Sequence, residues 1–231
     1  AERALRRIDR LGWLPPGVTL EELRSSWDLD FLSLGRMSLI DVAAAIMMDS
    51  GVVEQFSIQP AKLSNFLHAV SSRYRANAFH NFNHACHACH GCYLLMREQI
   101  RRTAHDEQSA RASTPRSASS CAIVELSPLD RLALLLAAVC HDVDHPGRNN
   151  AFLVSTGHPL AITYNDTAVL ENHHCATTFA ILADHQCDVL ETLREAHVAS
   201  VPALRERWRD ISDSLRLGPR VQITEALAKR S

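Results

Sequence analysis

Leu132 to Gly147 reads LALLLAAVCHDVDHPG: nine apolar positions run straight into two histidines and two aspartates, and Pro-Gly follows at once. So apolar a run belongs in a core. Ionisable groups at its mouth cost several kcal/mol each, as an order of magnitude, unless they are paired or coordinated. Adjacent imidazole and carboxylate donors suit a divalent metal with mixed nitrogen and oxygen ligation. Just upstream, Ser127-Pro128-Leu129-Asp130 offers a capping serine, a proline at the first helical position and an acid in the first turn. The apolar run is therefore a helix, and it must end or kink at Pro146.

Outward from this helix the periodicity stays helical. Thr19-Leu20-Glu21-Glu22 has the form of a capping box and opens a short helix to about Trp27. Met37 to Met48 is apolar at helical spacing and stops near Ser50-Gly51. A helix after Pro60 reaches about Tyr74, with Leu63, Phe66, Leu67 and Val70 on one face, and a long one spans about Phe79 to Arg102. Residues 103–121 are polar and Ser- and Ala-rich without periodicity, and read as a surface-loop insertion. Helices are also expected over Asn149 to Ser155, from Asp166 or Leu170 to Ala183, and within 187–217. No sustained period-two alternation occurs, so the sequence predicts an all-α fold of roughly ten helices.

Composition narrows the function. The 231 residues make one domain with a large core, and a net charge of −2 leaves no basic face for nucleic acid. No apolar run reaches the ~18 residues of a membrane helix. An odd count of seven cysteines, scattered through apolar stretches, reads as reduced thiols in an intracellular and cytoplasmic protein. The N-terminus has neither an initiator Met nor a signal-peptide core, which suggests a chain cut from something longer. The 13 histidines are the oddity, clustered at 80–90, 141–145 and 173–174.

In FHNFNHACHACH (79–90), His80 and His84 are four apart, a spacing that puts them on one helix face. Packing this helix on the one that ends at Cys140 would gather His84, His141 and Asp142 as three ligands, with His80 facing the same pocket. Three protein ligands with open positions make a hydrolytic centre, whereas a structural site is closed by four Cys or His. Cys86-His87-Ala88-Cys89-His90 also fits the c-type haem pattern, but inside a helix without an export signal it reads as core-facing thiols. A zinc finger lacks a second C-x-x-C pair. Tyr164 to His174 is a run of Asn, Asp, Glu and His around Val169-Leu170, suited to orienting waters at a metal site.

FHNFNHA (79–85), CHDVDHPGRNNAFL (140–153) and YNDTAVLENHHCA (164–176), with WDLDFLSL (27–34) and YRANAFHN (74–81), resemble the class I 3′,5′-cyclic nucleotide phosphodiesterase catalytic domain. The resemblance spans roughly residues 20 to 190 in order and spacing. It implies a compact all-helical HD-type domain that hydrolyses cAMP or cGMP to the 5′-monophosphate in signal transduction. It implies His84, His141 and Asp142 as metal ligands, Asp142 bridging to a second ion, and His80 as the general acid on the leaving 3′-oxygen. His145, Asn150 and Glu171 would belong to the network around the waters of the site. Two divalent ions are implied, Zn at the His-rich position and Mg or Mn at the second. As an acid, His80 calls for a carboxylate partner.

Departures qualify the resemblance. The family's fourth ligand, an Asp, and its purine-clamping Gln have no counterpart here; ITEALAKR (223–230) is one residue out of register, and 191–220 match poorly. The expectation is a partial catalytic domain over 1–231, incomplete on its C-terminal side. Specificity leans slightly to cGMP, on FHNF and CHDVDHPG-x-NN, against cAMP features in HPGR-x-N-x-FL and YNDTAVLE. Regulatory domains or dimerisation would belong to a longer protein. Two competing readings are another HD-type metal phosphohydrolase and a non-catalytic remnant that binds metal or partners.

Overall fold

The computed structural model of the chain describes residues 12–112 and 126–195. Among them every regular element is helical, so the all-α expectation holds. No helix among them is long and apolar enough to cross a membrane. The elements of the first compact unit, which ends at Val189, are α1 (Leu20–Ser25), a 3₁₀ turn (Phe31–Ser33), α2 (Arg36–Asp49), α3 (Val52–Gln55), α4 (Pro60–Arg73), α5 (Phe82–Ala112), α6 (Pro128–Cys140), α7 (Asn150–Ser155), α8 (Pro159–Thr163) and α9 (Val169–Leu182). In the second unit, from Leu190, residues 191–195 form a helical turn closed by Arg194 N–H to the Leu190 carbonyl at 2.9 Å.

Local chemistry explains the starts. Thr19 accepts from the Glu22 amide while the Glu22 carboxylate accepts from the Thr19 amide, the reciprocal box that opens α1. Ser127 and Asp130 repeat it for α6, with Pro128 at the first helical position. In α2 the buried positions run all round, from Leu39 and Ile40 through Ala43, Ala44 and Ala45 to Met48, as befits a helix sunk in the core. α4 presents Leu63, Phe66, Leu67 and Val70, all without exposed surface; each such side chain contributes about 1.5–3 kcal/mol on burial. α5 is the spine, packed against α6 on one side and α2 on another.

One polar cluster lies inside this core. The Asp49 carboxylate, 1% exposed, accepts from Arg24 through both Nε and Nη2, from the Tyr93 hydroxyl and, at 3.3 Å, from Arg97 Nη1. It ties α1, α2 and α5 together.

Two boundaries differ from the sequence expectation. α5 begins at Phe82, because Asn81 stops the preceding chain: its Oδ1 accepts from the His84 amide at 3.1 Å and caps the helix. At the far end α5 continues to Ala112, so residues 103–112 are helix and not the expected loop. That stretch has no Gly or Pro and is rich in Ala, Glu, Gln and Arg, whose helix propensity is high without any apolar stripe. In the turn before it, Glu98 pairs with Arg101 and Arg102, each at 2.8 Å. The rest of the expected loop, 113–121, and the segments beyond 195 lie outside the described residues. α3, α8 and the 3₁₀ turn were not expected from the sequence.

Candidate metal centre

The α6 helix ends at Cys140, with His141 as its C-cap, and the chain turns through Asp142, Val143 and Asp144 to His145. Asp144 takes the left-handed conformation, φ 60°, which costs a non-glycine residue about 1–2 kcal/mol, less for Asp than for most. The turn presents His141 and Asp142 to α5, where His84 meets them. His84 Nε2 lies 3.2 Å from His141 Nε2 and 3.6 Å from Asp142 Oδ2, and His141 Nε2 lies 3.3 Å from the same oxygen. The three residues that sequence spacing selected as ligands are thus brought together, at the half-exposed mouth of the core.

The hydrogen bonds behind these rings define what they offer. His141 Nδ1 donates to the Ala138 carbonyl at 2.9 Å, so its Nε2 carries a lone pair towards the cluster. His174, on α9, repeats the arrangement: Nδ1 donates to the Val143 carbonyl at 2.8 Å, and Nε2 faces Asp142 Oδ1 at 3.8 Å. Two imidazole lone pairs and a carboxylate oxygen converging within a few ångströms repel one another unless a cation or a proton lies among them. Asp142 pushes the His141 imidazole up in pKa, against burial and with help from the Ala138 carbonyl, so a proton can serve that pair. Burial, and then the neighbouring charge of His141, hold His84 down. A divalent cation satisfies all three donors at once, and the donor set of two nitrogens and one oxygen fits it. A second group, Asp142, His145 and His174, shares the Asp142 carboxylate from the other side.

His145 plays a different part. Its Nδ1 accepts from the Gly147 amide at 2.9 Å, which leaves the proton on Nε2 of the neutral ring, a donor into the site. His80, His145 and His174 stack as a ladder, with centroids 4.0 Å and 5.6 Å apart and planes within 10° and 16°. The two inner rings are each 5% exposed, and burial lowers both, so they stay neutral. His80 is the outer, half-exposed ring.

His80 does not share a helix face with His84, as the four-residue spacing suggested. It precedes α5, and Asn77 holds it by donating from Nδ2 to the carbonyls of both His80 and His145, at 3.0 and 2.8 Å. The two rings still lie 6.2 Å apart. The His80 ring packs against the rings of Phe79, His84 and His145, and it lies near enough to Asp142 to be among the charges that lower that carboxyl's pKa. Gly147 makes room for Asn77. It sits at φ +75°, and a Cβ there would come within 3.1 Å of Asn77 Oδ1. Gly147→Ala is expected to destabilise the fold by about 1–2 kcal/mol, read as a lower urea midpoint. An unchanged midpoint would mean that Asn77 is free to move.

Asn150 and Glu171 meet at the site's edge. Asn150 Nδ2 donates to both Glu171 oxygens, at 3.0 and 3.3 Å, and lowers that carboxyl's pKa, while its Oδ1 accepts from the Leu170 amide at 2.9 Å. The latter bond caps α9, whose own N-cap, Ala168, is left-handed and has no side-chain acceptor to give.

His174 was not singled out individually by the sequence; only its place beside His173 in the ENHH run hinted at it. The C-x-x-C-H run is absorbed by packing. Cys86 and Cys89 have no exposed surface, burial raises both thiols, and His90 Nε2 is bonded to the Leu23 carbonyl at 2.8 Å.

The sequence pattern of the 3′5′-cyclic nucleotide phosphodiesterase family matches residues 79–207. The high affinity cGMP-specific 3′,5′-cyclic phosphodiesterase 9A of Pan troglodytes is 36% identical over 146 residues, covering 63% of this chain and 21% of that protein. The human high affinity cAMP-specific and IBMX-insensitive 3′,5′-cyclic phosphodiesterase 8A is 32% identical over 188 residues, covering 78% and 20%. Among solved structures, the phosphodiesterase domain of the Salpingoeca rosetta rhodopsin phosphodiesterase superposes with a TM-score of 0.60 at 34% identity, over 76% of this chain and 48% of that one. The chain therefore spans about a fifth of the length of these curated relatives and about half of the solved domain. The matched segment includes every candidate metal donor and His80, and the chain belongs to the 3′,5′-cyclic nucleotide phosphodiesterase family.

Proposed function

We propose that the chain serves metal-dependent hydrolysis of a 3′,5′-cyclic nucleotide to the 5′-monophosphate. The observation that carries this is the convergence of His84, His141 and Asp142 on one spot beside the His80–His145–His174 ladder, in a member of this family. His84, His141 and Asp142 would hold Zn at the nitrogen-rich position, and the far side of Asp142 would face Mg or Mn. Divalent ions there supply Lewis-acid polarisation of the phosphodiester and a nucleophile at neutral pH.

The chain's own residues do the rest. Water adds to phosphorus as the P–O3′ bond breaks, and the departing oxygen needs a proton. We assign that proton to His80, the outermost ring of the ladder, and its hold by Asn77 and its stacking on a neutral His145 support the reading. The His145 Nε2–H donor and the Asn150–Glu171 pair orient polar groups at the oxygen-rich side. Between the nucleotides we place cGMP slightly ahead, on FHNF (79–82) and CHDVDHPG-x-NN (140–150), although relatives named for each nucleotide are similar in identity, at 36% and 32%. Fully buried Cys86 and Cys89, with no disulfide among the described cysteines, support an intracellular, cytoplasmic setting.

The test is an assay on cAMP and cGMP, with Mg²⁺ and Zn²⁺, of this chain and of a form extended to the length of the solved domains. His80→Ala is expected to lower kcat by roughly 10²–10⁴-fold with metal content unchanged. An extended form inactive on both nucleotides overturns the proposal. Activity confined to the extended form supports it and assigns the missing groups to the added segment.

A further inference from the structure

The second aspartate of HDVDH has no place among the donors described above, yet its side chain is tied to two other elements. Both its oxygens are taken. Arg75 Nε donates to Oδ1 at 2.6 Å, and His173 Nε2 meets Oδ2 at 2.8 Å. The two partners come from different elements, Arg75 from the chain just after α4 and His173 from α9.

Each partner has a neighbour that grips the same turn by its backbone. Beside Arg75, the Tyr74 hydroxyl accepts from the Asp142 amide at 3.2 Å and donates to the Val139 carbonyl at 3.1 Å. Beside His173, the His174 ring donates to the Val143 carbonyl at 2.8 Å. Two dipeptides, Tyr74-Arg75 and His173-His174, thus clasp the turn between them. Each uses one residue on the backbone and the other on the Asp144 carboxylate. Asp144 stands between Asp142 and His145 in sequence, in a left-handed conformation that its neighbours must sustain.

We propose that Asp144 is a positioning residue, clamped by Arg75 and His173 so that the 142–145 turn aims the Asp142 carboxylate and the His145 ring at the cation site. The inference rests on the metal-centre reading above and deepens it. Groups that orient a ligand from behind typically govern metal affinity by 10–100-fold, as an order of magnitude, without touching the ion.

The probe is Co²⁺ alone, titrated into this chain and followed by its visible absorption, with thermal unfolding of the metal-free chain measured alongside. Arg75→Met is expected to weaken Co²⁺ binding by roughly 10–100-fold, and Asp144→Asn, which keeps the shape and tolerates the left-handed backbone, to do the same. Arg75→Lys should recover most of the loss, because Arg75 offers a single charged donor to Oδ1. Metal-free unfolding of Arg75→Met should stay close to wild type, since that side chain is 48% exposed. If both variants bind Co²⁺ as wild type does, or if Arg75→Met only lowers the metal-free unfolding temperature, the clamp has no positioning role. If Co²⁺ binds neither the wild-type chain nor the form extended to the length of the solved domains, the metal centre falls, and this inference with it.

Discussion

Asp142→Ala is expected to empty the metal centre. The carboxylate is the only group shared by both donor sets, with Oδ2 within 3.3 Å of His141 Nε2 and 3.6 Å of His84 Nε2, and Oδ1 facing His174 at 3.8 Å. Removing it leaves imidazoles alone in both donor sets, with no carboxylate to balance a cation's charge. Metal content after dialysis should fall to background. Turnover by a form that is active should drop about 10³-fold or more, some 4 kcal/mol of lost stabilisation of the reacting phosphate. His141→Ala should lose the ion at the nitrogen-rich position for the same reason. Elemental analysis checks both, and wild-type occupancy in either variant would sink the ligand assignment.

The second large effect concerns stability. Asp49→Ala should lower the unfolding free energy by about 3 kcal/mol, the low end for breaking a buried pair, since Arg24 and Arg97 can recover some water. The loss arises because two guanidinium groups and the Tyr93 hydroxyl keep their positions while their common acceptor disappears. Burial alone would raise the Asp49 pKa, but hydrogen bonds from Arg24 and Tyr93 and the charges of Arg24 and Arg97 more than offset it, and the carboxyl is held below its usual range. A carboxyl with a depressed folded pKa stabilises the fold at neutral pH, and this contribution is lost as pH falls through the ordinary carboxylate range and then the folded value. Denaturant midpoints measured from neutral to acid pH should therefore decline more steeply for wild type than for Asp49→Asn. Parallel pH profiles would show that Asp49 contributes nothing through its charge.

Much of the site was legible because its donors sit at ends of strongly patterned helices. His141 and Asp142 follow an apolar run whose capping box and period could be read directly, and His84 lies in the first turn of α5. What escaped was set by single side chains acting across the chain. Asn81 caps α5 and so moves His80 off the helix, although its place beside the site was anticipated. A spacing of four residues carries no sign of such a cap. His174 could not be told from His173 by type, since only the packed structure shows one ring behind Asp142 and the other on Asp144. The stretch 103–112 is polar and still helical, because propensity alone suffices to continue a helix already begun.

The bond between Asn150 and the Leu170 amide bears on how the domain assembles. The segment leading into α9 carries Asn165, Asp166 and Ala168 in left-handed conformations and brings no cap of its own. An isolated stretch of that sequence has little reason to begin a helix at Val169, because nucleation is the costly step and the usual helper is absent. The start of α9 is supplied by a residue on α7, so the helix bearing Glu171, His173 and His174 forms in company with its neighbour rather than before it. Glu171, His173 and His174 thus take up their places together, and a fault at position 150 would be felt at all three.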